Sequence, residues 1–287
     1  MTAQMLDGEV VARRIKMELA DRIEMLSRKG HTPGLGTILV GDDGPSANYV
    51  AMKHRDCEEL GIASHHVHLR ANATEREVLE VVEQFNADER VDAYLMQYPF
   101  PPHLDYESIL LRVDPAKDVD GLHPVNLGRL VQGVDAVLPC TPAGIQALLE
   151  HYGIEIAGRH VVIVGRGLTI GRPLANLLTL KRPNANAAVT VVHTGVPDIG
   201  LYTRQADILV SAAGSPGLIT REMVKPGSVV VAAGVSFEGK KLLSDVTEDV
   251  AEVASWLTPR IGGVGPMTRA MLLRNCVEAA EWRVLGG

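Results

Sequence analysis

The stretch VVIVGRGLTIGRPLA, residues 161–175, limits what this chain can fold into more than any other, because a β-branched run gives way to spaced glycines just before a helical pattern. The run from His160 to Val164 reads as a buried parallel strand, since a half-exposed strand would alternate apolar and polar residues. Gly165, Gly167 and Gly171 then punctuate the turn, each allowing a backbone shape or a close approach that a Cβ would block. Pro173 suits the first turn of the helix that follows. Backbone amides and the positive end of the helix dipole converge on one point, where a pyrophosphate would sit. The spacing G-x-G-x-x-x-G is one residue longer than the common dinucleotide fingerprint.

The next strand indicates which dinucleotide. Enzymes of this architecture that use NAD end that strand in an acidic residue that accepts hydrogen bonds from the ribose hydroxyls. Here the strand, Ala187 to Thr194, ends in His193 and Thr194, and no carboxylate repels a 2′-phosphate. Arg166 stands inside the glycine loop with a guanidinium suited to paired contacts with phosphate oxygens. The expected cofactor is therefore NADP.

At 287 residues the chain should form about two domains and bury roughly 75% of its unfolded surface. Its net charge of −7 gives no uniform basic surface for nucleic acid or anionic membrane, so a small-molecule partner is expected. The N-terminus, MTAQMLDGEVVARRIK, carries charges where a signal peptide needs an apolar run, and no segment reaches the length of a membrane span. A cytoplasmic chain is expected. Cys57, Cys140 and Cys276 are scattered, without paired spacing for zinc or disulfides, and read as reduced packing residues; no metal site is expected.

Helices and strands alternate along the chain. Val11, Ile15, Leu19, Ile23 and Leu26 form one apolar stripe at helical spacing, closed by Gly30. The strand GTILVG, a helix from about Ser46 to Leu60, a strand near HHVHL, a helix from Thr74 to about Asn86 and the strand DAYLMQ follow in a βαβ-like order that implies a parallel sheet. Thr141 reads as an N-cap with Pro142 at the first helical position. Strands VVIVG, AVTVVH, DILVSAA and SVVVAAG then suit a doubly wound nucleotide domain. A last helix is expected from about Thr268 to Val284.

The helix from Ser46 carries the candidate chemistry. At about 100° per residue, Ser46, Tyr49, Val50, Lys53, Cys57 and Leu60 share one side, with Asn48, Arg55, Glu58 and Glu59 opposite. A lysine in the middle of such a face either snorkels its ammonium to water or is held desolvated, where its pKa falls by up to roughly 3–5 units. Gln97 ends the strand DAYLMQ before a proline-interrupted segment, so its amide should lie at the carboxyl edge of the sheet. Asp120 lies in DVDGLHP, where a turn-capping role is also open to it. The glycine loop by itself would also suit a dinucleotide sensor; Lys53, Gln97 and Asp120 together argue for catalysis.

The segments VGDDGPSANYVAMK, QYPFP, KDVDGLHPVNLG, PCTPAGI, VVIVGRGLTIGRPLANLL, ADILVSAAG, VKPGSVVV and GGVGPMTRAMLLRN resemble, in the same order, the bifunctional methylenetetrahydrofolate dehydrogenase and methenyltetrahydrofolate cyclohydrolase family, over essentially the whole chain. The resemblance implies a two-domain α/β fold: a catalytic folate domain, residues 1–142, joined by the C-terminal helix 267–287, and a doubly wound, Rossmann-like NADP-binding domain, residues 143–266. It implies oxidation of methylenetetrahydrofolate with NADP, then hydrolysis of the methenyl product, by a cytoplasmic homodimer. Lys53 becomes the catalytic lysine of hydrolysis, Gln97 its hydrogen-bonding partner, Tyr49 a group that stacks on or positions folate, and Asp120 the anchor of the pterin. Val50, Tyr98, Pro99, Gly262, Gly263, Val264 and Gly265 would border the substrate, and Gly165, Arg166, Gly167, Thr194 and Val235 the cofactor. The chain departs from the family pattern at Gly167, where serine is frequent, at Tyr98, Phe100 and Leu122, where leucine, leucine and phenylalanine are common, and at Ala232, Arg260 and Ile261.

Overall fold

The computed structural model describes residues 2–239 and 241–286. In chain order its elements are β1 (Gln4–Met5), α1 (Gly8–Arg28), β2 (Gly34–Val40), α2 (Gly44–Leu60), β3 (Ala63–Leu69), α3 (Glu75–Ala87), β4 (Ala93–Met96), α4 (Tyr106–Leu110), α5 (Pro124–Gln132) and α6 (Cys140–His151). There follow β5 (His160–Val164), α7 (Gly171–Thr179), β6 (Ala188–Val192), α8 (Gly200–Thr203), β7 (Ile208–Ser211), β8 (Val229–Ala232), β9 (Val235–Glu238), β10 (Lys241–Ser244), β11 (Trp256–Leu257) and α9 (Val264–Leu285). Two compact units result. One gathers the residues up to Arg13, Leu130–Val134 and Pro139–Thr268; the other gathers Arg14–Arg129, Asp135–Leu138 and the residues from Arg269 on. No helix among the described residues is long and apolar enough to cross a membrane.

The first unit is built on a six-stranded parallel sheet in the order β1-β11-β8-β7-β5-β6. Val161, Val162, Ile163 and Val164 are all buried because β5 is paired on both edges and covered on both faces. From β5 the chain first moves outward to β6 and then returns to the other side as β7, so the strand order reverses at β5. Loops leaving the carboxyl ends of β5 and β7 therefore part around a crevice, the usual ligand position of an open α/β sheet. An antiparallel hairpin, β9 with β10, was not legible in the sequence, nor were the two-residue strands β1 and β11.

The second unit repeats this arrangement on a smaller scale. Its parallel sheet has the order β3-β2-β4, so the chain reverses direction at β2 and a second switch point lies at the carboxyl ends of β2 and β4. The α1 stripe of Val11, Ile15, Leu19, Ile23 and Leu26 is buried throughout. Helix α3 starts on a capping box in which Thr74 and Glu77 satisfy each other's backbone amides, and it buries Val78, Val81, Val82 and Phe85 against Tyr94 and Met96.

Three expectations are corrected. Helix α6 begins at Cys140 with Pro139 before it, and Thr141, inside the first turn, shares a hydrogen bond with Thr268 Oγ1 at 2.9 Å where an N-cap role was expected. Helix α9 begins at Val264, so the last two residues of the GGVG run are already helical. A methyl group on Gly167 would meet nothing within 4 Å, so the loop does not require glycine there.

Candidate active site

Helix α2 is aimed by both of its ends and by its buried side. Asp43 caps it by accepting the Ser46 N–H at 2.9 Å, and Gly61, at φ +74°, closes it in the left-handed conformation. Midway along, Asp56 is buried between Lys16 Nζ at 2.6 Å and Arg269 Nε at 2.7 Å, which ties α2 to α1 and α9. The sequence pattern did not single out Asp56, because a carboxylate on an apolar face is legible only once its cations are in place.

Lys53, three residues before Asp56, is only 5% exposed, so its amine does not reach out to bulk water. Nζ donates to Gln97 Oε1 at 3.1 Å and stands 4.9 Å from the centre of the Tyr49 ring. Gln97 follows β4 directly. Its main-chain N–H donates to Ile38 O at 2.8 Å, extending the ladder by one residue at the second switch point. Its side-chain Nε2 donates to Tyr98 O at 2.8 Å, which decides which end of the amide faces the lysine. A backbone carbonyl thus orients an amide, and the amide orients an amine. Val50, one turn before Lys53's neighbour His54, is buried; Tyr98 and Pro99 are exposed beside Gln97.

The turn that carries Asp120 is held by a different carboxylate. Asp118 is buried and accepts from the amides of Gly121 at 3.1 Å and His123 at 2.7 Å and from Asn126 Nδ2 at 3.0 Å. The capping role open to Asp120 therefore falls to Asp118. Asp118 also forms an isolated parallel bridge with Tyr94 of β4, two residues before Asp120 in the same turn. Burial, reinforced by the charges of Asp120 and then Asp118, pushes the Tyr106 phenol above its ordinary pKa. Tyr98 and Phe100 pack edge-on against Tyr106 at 5.4 and 5.2 Å, an aromatic wall built by two of the departures from the family pattern.

Behind Lys53, α2 is joined to the sheet through histidines. The buried Thr37 hydroxyl touches His54 Nε2 at 3.3 Å and His66 Nδ1 at 2.8 Å, and His54 Nδ1 bonds Ser64 Oγ. Burial, then His66 and Lys53, hold the His54 pKa below its ordinary 6.5, and burial, then His68, does the same to His66. Both rings resist protonation when folded, whereas the unfolded chain takes up protons near that ordinary value. Their contribution is therefore present above about pH 6.5 and lost as pH falls below it. Urea unfolding should show stability declining from about pH 7 to about pH 5.5, and replacing both His54 and His66 by glutamine should flatten that slope. An unchanged slope would place the pH dependence elsewhere.

In the first unit, the loop from Gly165 to Ile170 leaves β5 and enters α7. Gly165 adopts φ +125°, and a methyl group on it would stand 2.2 Å from Ala212 O; one on Gly171 would stand 2.2 Å from Gly165 O. The loop is thus wound tightly at both ends, where a Cβ would strike backbone, and open at Gly167. Arg166 is exposed and forms no ion pair among the described residues. Thr194 is exposed just past β6, and Val235 is exposed at the start of β9. Gly262 and Gly263 belong to this unit: the carbonyl of Gly262 accepts the Gly8 amide at 2.8 Å, and Val264 is buried while Gly265 is exposed.

Residues 6–120 match the family described as tetrahydrofolate dehydrogenase/cyclohydrolase, catalytic domain, and residues 139–284 match its NAD(P)-binding domain. The chain belongs to the tetrahydrofolate dehydrogenase/cyclohydrolase family. It is 56% identical over 283 residues to the bifunctional protein FolD of Syntrophotalea carbinolica, covering 99% of this chain and 98% of that one. Among solved structures it resembles the FolD methylenetetrahydrofolate dehydrogenase/cyclohydrolase of Campylobacter jejuni, with a TM-score of 0.94, 43% identity and coverage of 98% and 99%. The enzyme of Trypanosoma brucei, solved with NADP cofactor and an inhibitor, aligns with a TM-score of 0.93 and 38% identity over 100% of both chains. As a member of this family, the chain oxidises methylenetetrahydrofolate to methenyltetrahydrofolate and hydrolyses the product to formyltetrahydrofolate, steps of one-carbon metabolism.

Proposed function

We propose that Lys53 handles the proton in the hydrolytic half of this chemistry and that NADP serves the oxidative half. The observation that carries the first assignment is a buried amine held by Gln97 above the Tyr49 ring, at the carboxyl edge of a parallel sheet. Hydrolysis needs such a group. Water must lose a proton as it attacks the methenyl carbon, and a ring nitrogen must receive one as its bond to that carbon breaks. A cationic substrate disfavours an adjacent ammonium, which adds to the burial and favours the neutral amine that can accept the proton. Gln97 suits either state of the lysine, since its oxygen accepts from an amine or an ammonium alike. Asp120 would take the paired N–H donors of the pterin. Tyr49, Val50, Tyr98 and Pro99 would border the folate, with Gly262, Gly263, Val264 and Gly265.

Bound NADP would accept hydride from the methylene carbon, whose resulting cation is stabilised by the two folate nitrogens. No protein base is needed there, so the chain's task is alignment. The tight, Cβ-intolerant ends of the Gly165–Gly171 loop fit a phosphate-binding backbone, with Gly167, Thr194 and Val235 around it. NADP over NAD is supported by the missing carboxylate after β6, by Arg166 and by the NADP complex of the Trypanosoma brucei relative. Replacing Arg166 with alanine should raise the KM for NADP about 10- to 100-fold and leave that for NAD nearly unchanged. Equal shifts in parallel assays with the two cofactors would remove the assignment. The reading includes a cytoplasmic homodimer, as the family resemblance implies, and light scattering of the purified chain tests the dimer.

A further inference from the structure

Asp245 is a fully buried carboxylate outside the hydrolytic site, and among the described residues it forms no ion pair with a lysine or arginine. It follows β10 and is held by donors from the end of β7 and the loop that leaves it. Ser211 Oγ donates to it at 2.9 Å, and the amides of Ala213, Gly214 and Ser215 donate at 2.8, 3.1 and 2.7 Å. Three successive amides turned onto one anion, with Gly214 left-handed at φ +63°, form a backbone nest of the kind that binds external anions. Here the anion is internal. Gly234 makes room for it: a methyl group on that residue would stand 1.8 Å from Asp245 Oδ2.

This loop is one lip of the first switch point, and the Gly165 loop is the other; Ala212 O lies against Gly165. With the amides of Ala213, Gly214 and Ser215 committed to Asp245, none of those three is left to hold a phosphate. The β5 lip, opening onto the N-terminus of α7, keeps that role. We infer that Asp245 is a positioning residue for the cofactor: by filling the nest from within, it fixes the β7 lip and directs the pyrophosphate to the Gly165–Gly171 side. This rests on the reading that NADP occupies the crevice between β5 and β7.

The test uses the full chain, with hydrolysis of methenyltetrahydrofolate, which needs no dinucleotide, as an internal control. Asp245→Ala should raise the KM for NADP by about tenfold or more, the worth of one charge-assisted hydrogen bond, while hydrolysis stays within about twofold of the parent. Added formate, a carboxylate small enough to occupy the emptied nest, should lower that KM again. Asp245→Asn, which keeps the shape but turns an NH₂ toward amide donors, should also raise the KM and should not respond to formate. An unchanged KM in either variant overturns the inference. So does a parallel loss of both activities without formate rescue, since that marks a merely structural role. A parent chain that fails to bind NADP would overturn the cofactor reading as well; a parent that binds while both variants behave like it overturns the inference only.

Discussion

Lys53→Met is expected to lower methenyltetrahydrofolate hydrolysis by about 10³-fold, within the range that a positioned general acid or base contributes. Methionine keeps the length and apolar stem of the side chain and removes the nitrogen, so the packing of α2 against the sheet should survive. Gln97 Oε1 loses its 3.1 Å donor, which costs about 1–3 kcal/mol if no water replaces it. Oxidation should survive in part, because hydride departure from the methylene carbon calls on no protein base. Following NADPH formation and methenyl decay in the same preparation separates the two. Hydrolysis at the parent rate would refute the role of Lys53.

Gly165→Ala is expected to damage the other half of the chemistry, raising the KM for NADP by about 100-fold. Two effects act together. The residue sits at φ +125°, where L side chains are strained, and its new methyl would stand 2.2 Å from Ala212 O, a backbone atom that cannot swing aside. The matched control is Gly167→Ser, where a Cβ meets nothing within 4 Å; its cofactor KM should change little. Titration of NADP by fluorescence on both variants decides the matter. If Gly165→Ala binds like the parent, the loop is not the phosphate site.

The parts of this fold that could be read in the sequence are those written by short-range periodicity. The α1 stripe, the both-faces-apolar β5 and the glycines that follow it need only their own neighbours to be legible. Lys53 stood out because one charged residue interrupts an apolar helical face, yet the sequence left open whether it was buried. What decides that is Gln97, 44 residues away, which supplies the acceptor. Asp118 and Asp120 illustrate the opposite limit. Both sit in one turn, and which of them caps it depends on Asn126 and the His123 amide, so spacing favoured neither. Thr141 carries a strong capping residue type, but Thr268 competes for its hydroxyl. Asp56 and Asp245 are not legible for a related reason: their partners come from distant segments, and a buried carboxylate is visible only through its donors.

The amide of Gln97 takes its bearing from the main-chain oxygen of residue 98, not from that residue's side chain. Any amino acid at position 98 supplies the same oxygen. The side chain there, 65% exposed, is released from the task of aiming the amine that we propose handles the proton. If Tyr98 borders the folate as proposed, variation at this position remodels the mouth of that pocket, and with it the choice among substrate analogues or inhibitors, while the Lys53–Gln97 pair behind it stays in register.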